Sequence, residues 1–223
     1  MTIAITIPAY RAQRFISDCL ESIDRLDLRE GVEVVPMVAV DACPETAEAI
    51  GGGYYWSAEN VGPYVLRNSL MQKIDADYYL SFCADDIILP QAIRELLSIA
   101  SAGYDIIRPW GQNMDTDMKT PDGEPYHMGV LMVSREALKA LGGYRQARIY
   151  SDTDLWNRAG DLGLKRIKIP KTLFLRRLHP GQITKSSIGL KTESHKQAKE
   201  RSRKLRKQGD LCIKPKTVEL EER

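Results

Sequence analysis

The chain has 223 residues, 32 of them Lys or Arg and 30 Asp or Glu, for a formal net charge of +2. Its 43% hydrophobic and 28% charged fractions are ordinary for a soluble globular protein, and they exclude wholesale disorder, collagen-like repeats and a disulfide miniprotein. No apolar run reaches the roughly 18 residues that a membrane span needs, and the β-branched opening from Met1 to Tyr10 lacks the basic n-region of a signal peptide.

The small net charge hides a division. Residues 1–184 carry 20 basic and 24 acidic side chains, whereas residues 185–223 carry 12 and 6. We therefore expect an acidic body, 1–184, and a basic C-terminal helical extension, 185–223. The extension is either a solvated helix or a surface for an anionic partner. The cysteines, Cys19, Cys43, Cys83 and Cys212, form no CxxC pair and fit no zinc module. Reduced thiols in a cytoplasm are the expectation.

In chain order, Thr2 to Pro8 reads as a buried strand and residues 13–25 as a helix, from the spacing of Phe15, Cys19, Leu20 and Ile23. Val32 to Val40 is a second strand, whose Pro36 predicts an edge position or a bulge. A short helix starts near Pro44. Tyr54 to Trp56 is a strand, 64–74 a helix, and Asp77 to Cys83 a strand ending on Ala84-Asp85-Asp86. Pro90 opens a helix over 91–101, and Asp105 to Arg108 is a short strand. Residues 111–127 show no periodicity and read as a long loop. Val130 to Val133 is a strand, Ser134 caps a helix to about 141, and Gly142-Gly143 ends it. A helix over 152–162 precedes two strands, Lys165 to Ile169 and Leu173 to Leu178. Residues 192–208 have helical propensity and almost no apolar face, so that helix needs a partner or frays.

This alternation predicts an α/β, Rossmann-like three-layer sandwich with a mostly parallel central sheet. Ligands of such sheets gather at the carboxyl ends of the strands. Four polar clusters follow predicted strands or their turns: Tyr10-Arg11, Asp41, Asn60 to Arg67, and Asp85-Asp86. Asp85 suits a hard divalent cation shared with substrate phosphates, and Asp86 is either a second such group or a cap on the next helix. Asp152 and Asp154 open a helix, where they either complement the helix dipole or supply a general base. His179 is either a packed histidine or a metal ligand. Arg67 can reach a phosphate or lie on a plain helix surface. Tyr10 can stack on a nucleobase or simply pack.

Together these stretches resemble family-2 glycosyltransferases of the GT-A fold. The match runs through Ile5-Thr-Ile-Pro-Ala-Tyr-Arg, Phe15 to Ile23, Val40-Asp41, Glu59 to Asn68 and Tyr79 to Pro90. It closes with Gly142-Gly-Tyr, Ser151 to Arg158 and Leu178-His-Pro-Gly-Gln-Ile-Thr. The resemblance implies an inverting, metal-dependent transferase that uses a nucleotide-diphosphate sugar, a UDP-sugar first, with Mn²⁺ or Mg²⁺. It puts Pro8, Tyr10, Arg11, Asp41, Asn60, Gly62, Arg67, Cys83, Ala84 and Asp85 around the nucleotide sugar. It puts Asp85 and His179 on the metal and makes Asp152 the catalytic base. Trp110, Asp154 and Trp156 would face the acceptor. Two departures stand out. The usual Asp-x-Asp reads Cys83-Ala-Asp85, and a thiol is a poor ligand for Mg²⁺. The usual Glu-Asp before the acceptor helix reads Ser151-Asp152.

The acceptor hydroxyl belongs either to a glycan or to a hydroxymethylated base in DNA, as in phage DNA-modifying glycosyltransferases. The basic tail suits DNA, with Lys199, Arg203 and Arg206 as candidate phosphate contacts. Two other classes compete. A sugar nucleotidyltransferase would carry a Gly-rich, Lys- or Arg-bearing phosphate loop where Pro8-Ala-Tyr-Arg stands. A non-catalytic nucleotide-sugar binder is the reading in which Cys83 has disabled the metal motif.

Overall fold

Along Thr2–Ala9, strand β1, the side chains alternate between two apolar layers: Ile3, Ile5 and Ile7 enter one cluster and Ala4 the other. That period of two, buried on both sides, is what a central strand between two helical layers requires. The computed structural model describes residues 1–127, 129–182 and 194–223. The expected boundary between 184 and 185 and the first two residues of the 192–208 helix lie outside the described residues.

The remaining elements follow as α1 (Ile16–Asp24), β2 (Glu33–Asp41), α2 (Pro44–Ile50), β3 (Tyr55–Ser57), α3 (Pro63–Met71), β4 (Tyr78–Ser81), β5 (Ile87–Ile88) and α4 (Ala92–Ala100). Then come β6 (Ile106–Met114), β7 (Tyr126–His127), β8 (Met132–Ser134), α5 (Arg135–Leu141), α6 (Ser151–Asp161), β9 (Arg166–Arg177), α7 (His195–Lys207) and β10 (Glu221–Glu222). The strands form one sheet in the order β10-β3-β2-β1-β4-β8-β6-β9-β5, with β7 paired to β6. The long ladders, β1 on β2, β1 on β4 and β6 on β9, are parallel. The antiparallel pairings are short. On one face α1 and α4 contribute Ile16, Cys19, Ile93 and Leu96 to the core; on the other α3, α5 and α6 contribute Leu66, Leu70, Leu141 and Leu155. The three-layer α/β sandwich is thus present.

Two local expectations change and two open alternatives are decided. Pro36 takes the edge position and makes no bulge: it pairs with Ile5 in an unbroken ladder. It is tolerated because β3 joins β2 only from Ala39 onward, so at Pro36 the other side of the strand is open. Residues 111–127 are not all loop, because β6 runs on to Met114 and returns as β7. Pro109 and Gly111 obscured that strand, and register shifts around Trp110 show where the ladder on β9 absorbs them. The two strands expected over 165–178 are one, β9, despite Pro170. Asp86 does not cap α4, whose N-terminal flanking residue is Gln91.

The basic helix α7 has the partner it needs. Ser194 and Gln197 close a reciprocal capping box, and Ala198 and Ser202 are buried. Ser202 Oγ donates to Asp154 Oδ1 at 2.6 Å, which fastens α7 to α6. Beyond it the chain is tied to the body at every few residues. Ile213 N donates to Leu141 O at 3.1 Å, Val218 N to Ser69 Oγ at 2.9 Å, and Arg223 exchanges backbone hydrogen bonds with Tyr54. Strand β10 thereby covers the edge of β3.

Leu220 sits in the second core cluster at 4% exposure. Leu220→Ala should lower the unfolding free energy by about 2–5 kcal/mol in urea titration. The exposed neighbour Glu221→Ala should change it by no more than about 0.5 kcal/mol.

Candidate active site

The carboxyl ends of β1, β2 and β4 open on the same side of the sheet, since the three strands are parallel neighbours. Residues there end or follow strands β1 (Pro8, Tyr10, Arg11), β2 (Asp41) and β4 (Cys83, Ala84, Asp85). Pro8 is half-buried, while Tyr10 and Arg11 are exposed. Arg11 has a positive φ of 53° and lays its guanidinium 5.2 Å from the Tyr10 ring centre.

Asp41 ends β2 fully buried. Its two oxygens accept from Val61 N at 2.8 Å and Gly62 N at 2.9 Å, so it holds the start of α3. Gly62 stands at φ 89°, a conformation that favours glycine, and this lets its N–H turn back to Asp41. Asn60 Oδ1 accepts from Arg148 at 2.7 Å and its amide donates to Asp41 O at 3.3 Å. Burial pushes the Asp41 carboxyl above its ordinary value of 3.8, outweighing those two N–H donors and the attraction of Arg148.

Helix α3 then reaches two further places. Arg67, buried, donates to Phe82 O at 2.7 Å and lies 3.9 Å from Cys83 Sγ. Tyr64, one turn earlier, donates its hydroxyl to Asp152 Oδ1 at 3.0 Å. Asp152 is in the first turn of α6, mostly buried, with Arg108 of β6 at 3.7 Å from its second oxygen. A Cβ at Gly129 would come 2.8 Å from Asp152 Oδ2, so a side chain there would displace the carboxylate. Both carboxylate regions, around Asp85 and at Asp152, are therefore connected through α3.

At the β4 end, His179 Nε2 lies 3.0 Å from Asp85 Oδ2, and the His179 ring packs on Phe15 at 4.7 Å. Arg177 supports the loop: it donates to Asp85 O at 3.1 Å, Thr116 O at 2.6 Å and Asp18 Oδ2 at 2.7 Å. Cys83, Asp85 and Asp86 bring a sulfur and two carboxylate oxygens within 4.8 Å of one another. They are not equivalent. Asp86 is buried and accepts from Arg177 N at 3.1 Å; burial first, then the charge of Asp85, pushes its carboxyl well above the ordinary range. Burial, reinforced by Asp86, pushes the Cys83 thiol up to about 12, so it is neutral at physiological pH. Asp85 and His179 present the oxygen and nitrogen donors that suit a divalent cation shared with phosphates, and both side chains are only partly exposed. The residues fit such an ion on those two side chains rather than on all of Cys83, Asp85 and Asp86. Ala84, between them, is buried.

Other candidates lie elsewhere. Asp154, expected toward the acceptor, turns into the interior. Two residues along a helix is about 200° of rotation from Asp152. It pairs with Arg158 at 2.8 Å and Arg145 at 3.2 Å. Trp156 belongs to the second core cluster, under Arg166 and Lys168. Trp110 is half-buried in β6, donating to His127 Nε2 at 3.2 Å. Lys199 and Arg203 are exposed on α7, while Arg206 pairs with Asp161 at 3.2 Å. Sequence reading missed Tyr64, Arg108, Arg148 and Arg177, because each acts through tertiary contacts that no local pattern encodes.

No family model matches the sequence, and no curated protein is recognisably similar to it. Solved structures are. S. aureus TarS residues 1–349 in complex with UDP-GlcNAc superimposes with a TM-score of 0.67 at 14% identity, over 85% of this chain and 62% of that one. The mannosyltransferase PcManGT from Pyrobaculum calidifontis, in complex with GDP-Man and Mn²⁺, gives 0.66 at 14% identity, over 82% and 58%. This chain spans about three fifths of those chains. It shares their fold, the GT-A fold expected from the sequence. Among the described residues no helix is long and apolar enough to cross a membrane.

The raised Asp41 carboxyl has a sign. The native chain binds this proton more tightly than the unfolded one, so stability falls as pH rises from 3.8 through the native value. Asp41→Asn should remove that fall when urea midpoints are followed against pH. At neutral pH it should cost about 1–3 kcal/mol, because an amide NH₂ then faces a backbone N–H.

Proposed function

We propose that this chain is an inverting glycosyltransferase that moves a sugar from a nucleotide-diphosphate sugar, a UDP-sugar first, to an acceptor hydroxyl. The acceptor is a hydroxymethylated base in DNA or a glycan. The observation that carries the reading is the pairing of two unlike sites across one helix: the Asp85–His179 pair at the end of β4 and the anchored Asp152 at the head of α6. The shared fold with nucleotide-sugar-bound transferases supports it.

In this reading Tyr10, Arg11, Asp41 and Asn60 border the nucleoside, with Pro8 at the strand end beneath them. Asp41 acts through the turn it holds, keeping Val61 and Gly62 in place under the nucleotide. Cys83 and Ala84 lie beside the donor sugar, and Arg67 fixes the Phe82 carbonyl just before them. Asp85 and His179 would hold Mn²⁺ or Mg²⁺, which when bound neutralises charge on the diphosphate. Asp152 accepts the proton of the acceptor hydroxyl as its oxygen bonds to the anomeric carbon. The bond from that carbon to the diphosphate oxygen breaks, and the nucleoside diphosphate leaves with the electron pair. Attack from the side opposite the leaving group inverts the configuration. Tyr64 and Arg108 hold the carboxylate where this transfer needs it, which is a matter of position before it is one of acidity. A non-catalytic sugar-nucleotide binder would have no use for a base held this way.

A thermal-shift panel of UDP-, GDP- and CDP-sugars with and without Mn²⁺ should give its largest shift for one base, enhanced by the ion. Asp85→Ala should abolish that enhancement. Asp152→Asn should keep the nucleotide shift and reduce transfer by roughly 100- to 10,000-fold. Near-normal turnover in Asp152→Asn would overturn the assignment.

A further inference from the structure

Helices α6 and α7 run side by side in the same direction. His195, at the start of α7, packs edge-on against Tyr150, the residue before α6, with ring centres 5.1 Å apart. Ser202, in the middle, bonds Asp154, and Arg206, near the end, pairs with Asp161, the last residue of α6. The start of α7 therefore lies beside the helix head that carries Asp152.

The buried side of α7 is set by Ala198 and Ser202. Turned between about 80° and 160° from the middle of that side stand Lys196, Lys199, Arg203 and Lys207, all exposed. At 100° per residue these four fall within an arc of about 80°, and from first to last they extend about 16 Å at 1.5 Å per residue. None forms an ion pair among the described residues. Glu200, the one acidic residue of the helix, stands at the edge of this arc, about 20° from Lys207. The result is a solvated cationic row along one flank, on a helix held in place by its buried side.

We propose that this row is a track for the phosphodiester backbone of double-stranded DNA, leading toward Asp152. Its composition separates DNA from other anions. The exposed side of α7 carries no aromatic platform, which single strands require. It carries no large apolar residue, which an interfacial membrane helix requires; among the described residues the exposed large hydrophobics are Met1, Tyr10, Leu28 and Leu162. It also lacks hydroxyl or amide side chains aligned with the row that could read the ribose 2′-OH of duplex RNA. Closely spaced Lys and Arg alone suit phosphates contacted without sequence readout. The binding stands by itself; only its role in delivering an acceptor rests on the transferase reading above.

The test is fluorescence anisotropy of the full chain with a labelled DNA duplex across a salt series. Four phosphate contacts give a log–log slope of about −3.6, hence a loss of about 100-fold in affinity between 50 and 200 mM salt. Lys199→Gln with Arg203→Gln should flatten the slope by about 2. The double variant should leave Mn²⁺-dependent hydrolysis of the donor sugar nucleotide unchanged, since neither residue touches that site. A slope that is flat in the parent chain, or unaltered in the double variant, overturns the track. So does tighter binding to phosphatidylcholine–phosphatidylserine vesicles, or to an RNA duplex, than to DNA. Loss of donor hydrolysis in the parent chain would count against the transferase reading instead, and would leave the salt slopes to decide the track.

Discussion

Helix α3 is buried around its whole circumference from Tyr64 to Met71, and the rest of the molecule is arranged to meet that condition. A surface helix can leave its polar side chains to water; this one cannot, so each must find a partner inside the protein. Asn68 exchanges two hydrogen bonds with the backbone of Tyr144 and gives a third to Lys216 O. Ser69 accepts from Val218 N. Arg67 takes Phe82 O and Tyr64 takes Asp152. Four elements far apart in the chain are thereby located from one helix: the β4 exit, the head of α6, the turn after α5 and the C-terminal segment. The consequence for chemistry is that the two candidate carboxylate regions share a single rigid reference, as a reaction between two bound substrates requires.

The C-terminal segment follows from the same constraint. One side of α3 faces away from the sheet, and residues 213–220 cover it before β10 closes on β3. This explains how the described part of a basic tail belongs to the folded body. Val218 and Leu220 pack on the second core cluster, while Lys196, Lys199, Arg203, Lys204 and Lys207 stay exposed.

Much of the fold was legible because buried parallel strands announce themselves. Thr2 to Pro8 and Val32 to Val40 are runs rich in β-branched residues with no alternative use. The helices were legible through period and capping, as at Ser134, whose hydroxyl accepts from Ala137 N. Only the first part of strand β6 was, since Pro109 and Gly111 break the local pattern beyond Arg108 while the pairing to β9 is enforced from 60 residues away. The candidate site divided in the same way. Polar residues directly after strands, such as Asp41 and Asp85, could be picked out by position alone. Which way Asp154 turns, and that Asp86 faces Arg177 rather than capping α4, depended on neighbours distant in sequence.

The buried charges around Asp154 show what such neighbours accomplish. Arg158 is fully buried and carries bonds to Asp154, Leu141 O, Gly143 O and Leu211 O. Arg145 reaches the same Asp154 and also Asp210. An isolated buried pair adds little net stability, because desolvating both ions offsets their attraction. Here the bonds that leave α6 and Arg145 lead to several segments: α5, the Gly142-Gly143 turn, α7 through Ser202 on Asp154, and the chain after α7. Replacing the network by apolar side chains could fill the same volume, yet nothing would then fix where α7 lies along α6. Directional bonds set that register. They hold the cationic row at one height along α6, so the least apolar helix of the protein is also one of the most closely located.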